Sequence, residues 1–278
     1  MRALPASIAI IATVHALPAA AQDQPANVFD RDHLTVAVAG VYTPSYDGSN
    51  DYVFSPVPMV EGKVHGIAIT PRPAGVALDL IPDSHDSKIG FSFGPMGTVS
   101  FNRNRRIVDP VVRAAGKLRA AIELGASGGV TARKLLGDHD SLTLSADVQW
   151  DVNGAYKGMT WSPAVSYVTP VNKAVLVMLT VSAHHADGDY ARYYYSVSPA
   201  QSAASGLPQY RAKGGWDSLS AGVIAGWNLS GDMRNGGVSL FAGAGYTHML
   251  NAGRDTPYTS VRGDPNQWLG GVGAAYTF

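Results

Sequence analysis

The sequence contains no cysteine and has few charged residues. Without cysteine the chain forms no disulfide, so burial of apolar side chains and hydrogen bonds between strands must hold the fold together. Charged residues make up 15% of the chain, against about 25% in soluble proteins. The 21 basic and 21 acidic residues balance, which argues against a nucleic acid or an acidic lipid surface as a partner.

Long apolar runs are also missing, except near the N-terminus. A basic start is followed by an apolar stretch over residues 8–14 and by three alanines at 19–21. This order predicts a cleavable signal peptide over residues 1–21, because a retained membrane anchor needs about 20 apolar residues. We therefore expect an exported protein with one mature domain over residues 22–278 and no transmembrane helix.

Apolar and polar residues alternate in many segments of the mature chain. In SLTLSADVQWDV, residues 141–152, every second side chain is apolar over the whole segment. A period of two indicates a strand with one apolar and one polar face. The pattern recurs clearly in residues 218–230 and 237–250, and more weakly in 34–42, 88–101, 119–133, 159–169 and 174–185.

Short and long connections take turns between these strands, which is typical of an up-and-down meander. Strands of about 9 to 11 residues can cross a bilayer, and closure leaves no unpaired edge. The sequence therefore predicts an all-β fold: a transmembrane, antiparallel β-barrel of ten to twelve strands. Twelve is favoured because both termini must lie on the same side. A soluble β-sandwich is the alternative, and the prolines of residues 53–82 leave the path of residues 44–110 undetermined.

The last strand ends on the C-terminal residue, with an apolar face and no polar tail. This ending resembles the insertion signal of bacterial outer-membrane barrels, which the barrel assembly machinery reads as an unpaired strand. We therefore predict location in the outer membrane, with outer-membrane lipid as a partner. The predicted signal consists of Val272, Ala274, Tyr276 and Phe278.

Three segments resemble the MltA-interacting protein (MipA)/OmpV family. They are GVYTPSYDGSNDYVFSPVPM at 40–59, ADGDYARYYYSVSPAQSAASGLPQY at 186–210 and DTPYTSVRGDPNQWLGGVGAAYTF at 255–278. The resemblance implies an outer-membrane barrel that is not an enzyme. For the namesake it implies a scaffold that brings a lytic transglycosylase together with a murein synthase. Other members are connected with adhesion, permeability and drug susceptibility.

Two groups of polar residues suggest functions for a barrel of this kind. Asp147, Gln149 and Asp151 share the polar face of one strand and are expected to line the lumen. They would form either an internal hydrogen-bond network or a path for cations, and the second alternative predicts a small channel. In a long loop, an aromatic and basic patch could contact a sugar or a partner protein. This patch comprises Arg192, Tyr193, Tyr194 and Tyr195.

Catalytic and metal-binding motifs are weak. Residues 125–129, GASGG, fit the G-x-S-x-G pattern of a hydrolase, but that motif needs a strand, a sharp turn and a helix. A glycine-rich strand is expected here, so an outer-membrane lipid hydrolase is the least favoured alternative. His184 and His185 precede two aspartates, yet neighbouring residues of a strand point to opposite faces. We predict a monomer that is not an enzyme and has no metal or cofactor.

Overall fold

The computed structural model describes residues 27–82, 87–104 and 106–278. The predicted signal peptide lies outside these residues. Twelve antiparallel strands follow one another around a closed barrel, and the last strand pairs with the first. This confirms the predicted fold and the favoured strand number. The strands are β1 His33–Pro44, β2 Tyr52–Val64, β3 Ile67–Arg72, β4 Gly75–Asp79, β5 Ile89–Ser100, β6 Ala121–Arg133, β7 Ser141–Asp151, β8 Met159–Pro170, β9 Val175–Ala186, β10 Gly215–Asn228, β11 Gly237–Met249 and β12 Asn266–Thr277.

The alternating pattern of the sequence sets the two faces of the barrel wall. In β7 the side chains of Leu142, Leu144 and Trp150 are exposed on the outside, while the residues between them face inward. Because a strand has a period of two, a shift by one residue would turn every apolar side chain into the lumen. The outside therefore forms an apolar band, as a lipid environment requires.

The two rims of the barrel differ in the length of their connections. Strand β1 begins and β12 ends at the same end of the barrel, which we call the inner rim, and most of the short turns lie there. The turn between β2 and β3 there consists of His65 and Gly66, both with positive φ, as a tight hairpin turn requires. The opposite outer rim carries long connections with five helices. They are α1 Pro110–Ala114, α2 Gly188–Tyr195, α3 Pro199–Ser205, α4 Asn251–Asp255 and α5 Pro257–Ser260.

The first third of the barrel, which the sequence left undetermined, contains two short strands. Strands β3 and β4 form a hairpin of 6 and 5 residues, whereas β1 and β2 pair along their full length. The prolines at 56 and 58 lie within β2 and not at a break in it. They are tolerated because β2 pairs with β3 at only three positions, Gly62 to Val64, so much of its second edge has no ladder partner.

The buried core of the protein lies at the outer end of the barrel and not between two sheets. Two clusters of buried side chains form there; the first is rich in tyrosine, and the second is mainly aliphatic. Among the described residues, no helix is long and apolar enough to cross a membrane.

Candidate functional site: the plugged lumen

Three outer loops turn into the mouth of the barrel, and we call them together the plug. They are residues 101–104 and 106–120 with α1, residues 187–214 with α2 and α3, and residues 250–265 with α4 and α5. The plug buries two apolar clusters against the inner wall. The first contains Tyr156, Tyr190, Tyr194, Tyr195 and Met249, and the second contains Tyr46, Ile107, Val112, Val197, Leu207 and Tyr258.

Arg103 joins the three loops at the centre of the plug. Its side chain is only 1% exposed, and its guanidinium donates hydrogen bonds to the carbonyl oxygens of Tyr194, at 3.1 Å, and Gly116, at 3.4 Å. The guanidinium carbon also lies 3.6 Å from the ring centroid of Tyr258. A buried charge is tolerated only with such partners. One side chain therefore contacts all three loops and helps to fix their mutual position.

Helix α2 buries three of its tyrosines, Tyr190, Tyr194 and Tyr195. Asp187 caps the helix by accepting from the amides of Asp189 and Tyr190. Tyr194 and Tyr195 are 1% and 3% exposed, so they cannot contact an external partner as we expected. The helix faces the lumen with these side chains because their rings complete the plug core. Of the predicted patch, Arg192 is exposed and Tyr193 is half-buried.

Asp147 is placed inside the barrel and is bound by a residue of β3, four strands away along the wall. Arg72 of β3 donates to both carboxylate oxygens, at 2.7 and 3.2 Å, and to Ser127 Oγ at 3.0 Å. A two-point arginine–carboxylate contact fixes geometry as well as charge. The carboxylate is therefore already paired, which fits an internal network and not a free cation site.

The other two predicted lumen residues join separate networks. Gln149 donates to Thr98 Oγ1 at 2.6 Å, and Thr98 donates to the carboxylate of Glu123 at 2.9 Å. Tyr156 of the β7–β8 loop donates to the same carboxylate at 2.9 Å, linking the wall to the plug. Asp151 instead accepts backbone amides of the loop that follows it, including that of Tyr156 at 2.6 Å. Its role is to shape that loop.

The neighbouring histidines of β9 lie on opposite sides of the wall. His184 faces inward, where its Nδ1 lies 2.6 Å from Asp217 Oδ1. Tyr195 donates to the other oxygen of Asp217 at 2.8 Å. His185 faces outward and packs against Trp161 and Trp216. No group of three or more His, Cys, Asp or Glu within metal-binding reach occurs in the described part of the chain.

A second ion pair fixes the start of α1. Asp109 accepts from the amides of Val111 and Val112, at 2.8 and 2.9 Å, and from Arg262 at 2.7 and 3.0 Å. Burial by itself would raise the pKa of Asp109, but Arg262 and the two amides outweigh it and lower the pKa below its usual value. The ion pair therefore ties the first plug loop to the third when Asp109 is charged.

The Asp109 pair gives the plug a pH dependence of known sign. Because the pKa is lower in the folded protein, the pair stabilises at neutral pH, and the stabilisation is lost as pH falls through the folded pKa, below about 4. We expect Asp109→Asn to cost about 2 kcal/mol at pH 7 and progressively less at acidic pH, as the pH falls below about 4. Hydrogen exchange of the Val112 amide measures this difference. Asp255→Asn, which removes an exposed pair with Arg254, is the control and should have almost no effect at neutral or acidic pH.

The G-x-S-x-G segment lies within β6, away from any turn or helix. Residues 125–129 pair with β5 on one side and β7 on the other. Ser127 Oγ accepts a hydrogen bond from Arg72, which stabilises its position in the wall. The strand, turn and helix that a nucleophile elbow needs are therefore not formed at this serine.

The final strand closes the barrel. β12 pairs with β11 over its whole length and with β1 from Gly270 to Thr277. The amide of Phe278 donates to the carbonyl oxygen of Leu34 at 2.9 Å, and its ring packs against Tyr276 with centroids 4.7 Å apart. All four residues of the predicted assembly signal are exposed on the outside of the wall. Their role in assembly stays a prediction.

The residues that hold the plug were missed in the sequence. Arg103, Arg72 and Glu123 stand in segments with no motif, and their partners lie 91, 75 and 33 positions away along the chain. A single charged residue in a strand with a polar inward face is the only signal that the sequence offers for Arg72 and Glu123. Arg103 has none, because its loop reads as an ordinary basic connection.

Comparison with known proteins gave one family and several solved structures. Residues 36–278 match the family described as MltA-interacting protein MipA. No curated protein matches the chain. The NanC porin is 10% identical, with 87% of this chain and 98% of that chain covered and a TM-score of 0.49. An outer membrane channel from Pseudomonas putida is 13% identical, with 95% and 100% covered and a TM-score of 0.46. The translocator domain of NalP from Neisseria meningitidis is 13% identical, with 89% and 88% covered and a TM-score of 0.41.

The family match includes every strand of the barrel and all three plug loops. It begins at Val36 in β1 and ends at Phe278, and the twelve-stranded closed barrel carries the apolar outer band that an outer-membrane protein needs. The chain therefore belongs to the MltA-interacting protein MipA family, and it is an outer-membrane β-barrel.

Proposed function

We propose that the protein is a non-enzymatic scaffold that binds murein-cleaving and murein-synthesising enzymes at the periplasmic face of the outer membrane. The observation that supports it most is the filled lumen, in which the polar side chains bind one another and the plug closes the outer mouth. A filled interior of this kind favours a rigid barrel over one that lets solutes pass. The proposal includes removal of residues 1–21 as a signal peptide, which leaves 22–278 as one domain.

The inner rim provides a rigid apolar surface for such a partner. In the turn between β6 and β7, the Asp140 carboxylate accepts from the amides of Leu135 and Leu136, both at 2.8 Å, and from the hydroxyl of Tyr167 at 2.9 Å. These bonds preorganise the turn, and Leu136 remains 85% exposed. Outer-membrane barrels have short turns on the periplasmic side. Leu135 and Leu136 therefore lie where a periplasmic enzyme can reach them.

A preorganised, exposed leucine pair is suited to bind a pocket on a partner. Its exposure in the free protein is unfavourable, and burial of an apolar side chain in a partner's pocket contributes about 1.5 to 3 kcal/mol to the free energy of binding. The turn has little conformational entropy to lose, because Asp140 already fixes its backbone. The family description names MltA as an interaction partner, and we propose this turn as the contact with the lytic transglycosylase that the family resemblance implies.

The proposal predicts a binding defect for one turn variant. We expect the barrel in lipid nanodiscs to bind a purified MltA-type lytic transglycosylase and a murein synthase, and Leu136→Asp to weaken the transglycosylase complex at least tenfold. Val261→Asp is the matched control, because Val261 is an exposed apolar residue, 57% accessible, on the outer rim. Surface plasmon resonance measures both variants. Absence of binding by the wild-type barrel to either enzyme would contradict the scaffold, and equal binding by Leu136→Asp would contradict the contact.

A further inference from the structure

The barrel wall contains a gap between β2 and β3, which we call the wedge. Strands β2 and β3 pair near the inner rim, from Val64 with Ile67 to Gly62 with Ile69. Beyond Ile69, strand β3 continues to Arg72 but pairs only with β4. Residues 52–61 of β2 therefore have no ladder partner on the side away from β1, within the described strands. At about 3.3 Å per residue, this free edge is about 30 Å long and opens toward the outer rim.

The Arg72 contact accounts for the separation of the two strands. Arg72 lies at the end of β3 and is bound at two points to Asp147 of β7. The contact joins β3 to β7, four strands further along the barrel wall, and holds the β3–β4 hairpin toward β6 and β7. Strand β4 accordingly contacts β6 as well as its ladder neighbour β5. The wedge is thus part of the same network that fills the lumen.

The sequence of β2 fits an edge that stays unpaired. The carbonyl oxygen of Phe54 is bound by Arg106, so it points into the wedge. Residues two apart in a strand direct their backbone groups to the same side, which places those of Pro56 and Pro58 in the wedge also. Proline has no N–H, so neither residue leaves an unsatisfied donor in a lipid environment, and neither can pair with a further strand. A protein strand is therefore a poor occupant.

The wedge is apolar along its sides and has one positive charge at its outer end. Pro56 and Pro58 are exposed on β2 and Pro73 at the hairpin turn, whereas the ring of Phe54 lies over Gly40 of β1. Arg106 donates from Nη1 to the Phe54 carbonyl oxygen and, at 2.9 Å, to Ser55 Oγ. Its remaining N–H groups form no ion pair with a described residue. Apolar sides below a guanidinium complement an alkyl chain that carries an anionic head group.

We propose that the wedge binds a phosphate-bearing amphiphile of the outer leaflet, with its alkyl chain between β2 and the β3–β4 hairpin and its phosphate at Arg106. The height of the site agrees with this orientation, because Arg106 binds near the outer end of β2 while the free edge continues toward the membrane centre. The proposal does not depend on the scaffold function, since the two sites lie at opposite rims.

Native mass spectrometry of the purified protein in the neutral detergent dodecyl maltoside tests the proposal. Dodecyl phosphate is the probe, and inorganic phosphate tests for an anion site without an alkyl chain. We expect one dodecyl phosphate per barrel and no adduct of inorganic phosphate. Arg106→Gln should weaken this binding at least tenfold. Arg113→Gln, which removes an exposed arginine from the same loop, is the control and should leave it unchanged.

A second variant tests the alkyl part of the site. Pro73→Trp places a large ring in the wedge without changing the charge, and we expect it to weaken dodecyl phosphate binding as strongly as Arg106→Gln does. Unboiled migration on a denaturing gel checks that each variant is folded. The proposal would be overturned if all variants bound dodecyl phosphate equally, or if Arg106→Gln and Arg113→Gln lost binding to the same extent. It would also be overturned if inorganic phosphate bound as tightly as the amphiphile, or if a second copy of the chain occupied the wedge.

Discussion

Deletion of Phe278 should lower the amount of folded barrel in the outer membrane several-fold, while the barrel that does fold keeps nearly the wild-type stability. The ring of Phe278 is 60% exposed to lipid and its amide makes one hydrogen bond to β1. Loss of one such bond costs about 1 kcal/mol, which is too little to unfold a closed barrel. A large fall in yield would therefore come from recognition of the last strand during assembly.

The matched control for this prediction introduces a charge beside the same position. Val238 of β11 pairs with Tyr276 and is also exposed to lipid, so Val238→Asp disturbs the lipid-facing surface at the same height but leaves the C-terminus intact. Outer-membrane yield is measured by heat-modifiable migration after membrane fractionation, and stability by urea unfolding in lipid vesicles. A deletion variant with unchanged yield, or an equal fall in Val238→Asp, would refute the assembly signal.

Removal of the second plug loop should convert a closed barrel into an ion-conducting one. In planar bilayers we expect little conductance from the wild-type protein, and stable single-channel steps when a short glycine-serine linker replaces residues 188–213. That segment contains α2, α3 and the buried tyrosines of α2, and its loss removes half of the buried residues of the first apolar cluster. Wild-type conductance as high as that of the deletion variant would contradict the closed state and favour the channel alternative.

A point variant tests the same plug without shortening the chain. Arg103→Met keeps most of the side-chain volume but removes the guanidinium that binds Tyr194 and Gly116 and stacks on Tyr258. Loss of these contacts should destabilise the closed plug by about 2 to 4 kcal/mol. Trypsin cleavage at Arg192 and Arg211 should then become faster. Arg113→Met on the same loop should leave the cleavage rate unchanged, and resistance of Arg103→Met would show that the apolar clusters suffice.

The site differs from its sequence-based prediction at residues whose contacts lie far away along the chain. Asp147 was expected in the lumen, but its partner Arg72 lies 75 positions away and could not be read from a strand pattern. Tyr194 and Tyr195 were expected on the surface because they stand in a long polar loop. The loop folds inward because their rings bury more apolar area against Met249 and Tyr156 than an exposed loop would.

The sequence by itself determined the barrel, the faces of its strands and the closing strand. These features follow from local patterns, because a period of two fixes which side chains face lipid and because antiparallel neighbours need only short turns. Tertiary structure alone decided the plug, the lumen network and the wedge. Each depends on side chains that meet across the barrel, such as Arg103 with Tyr258 and Arg72 with Asp147, and such contacts form only when closure brings distant strands and loops together.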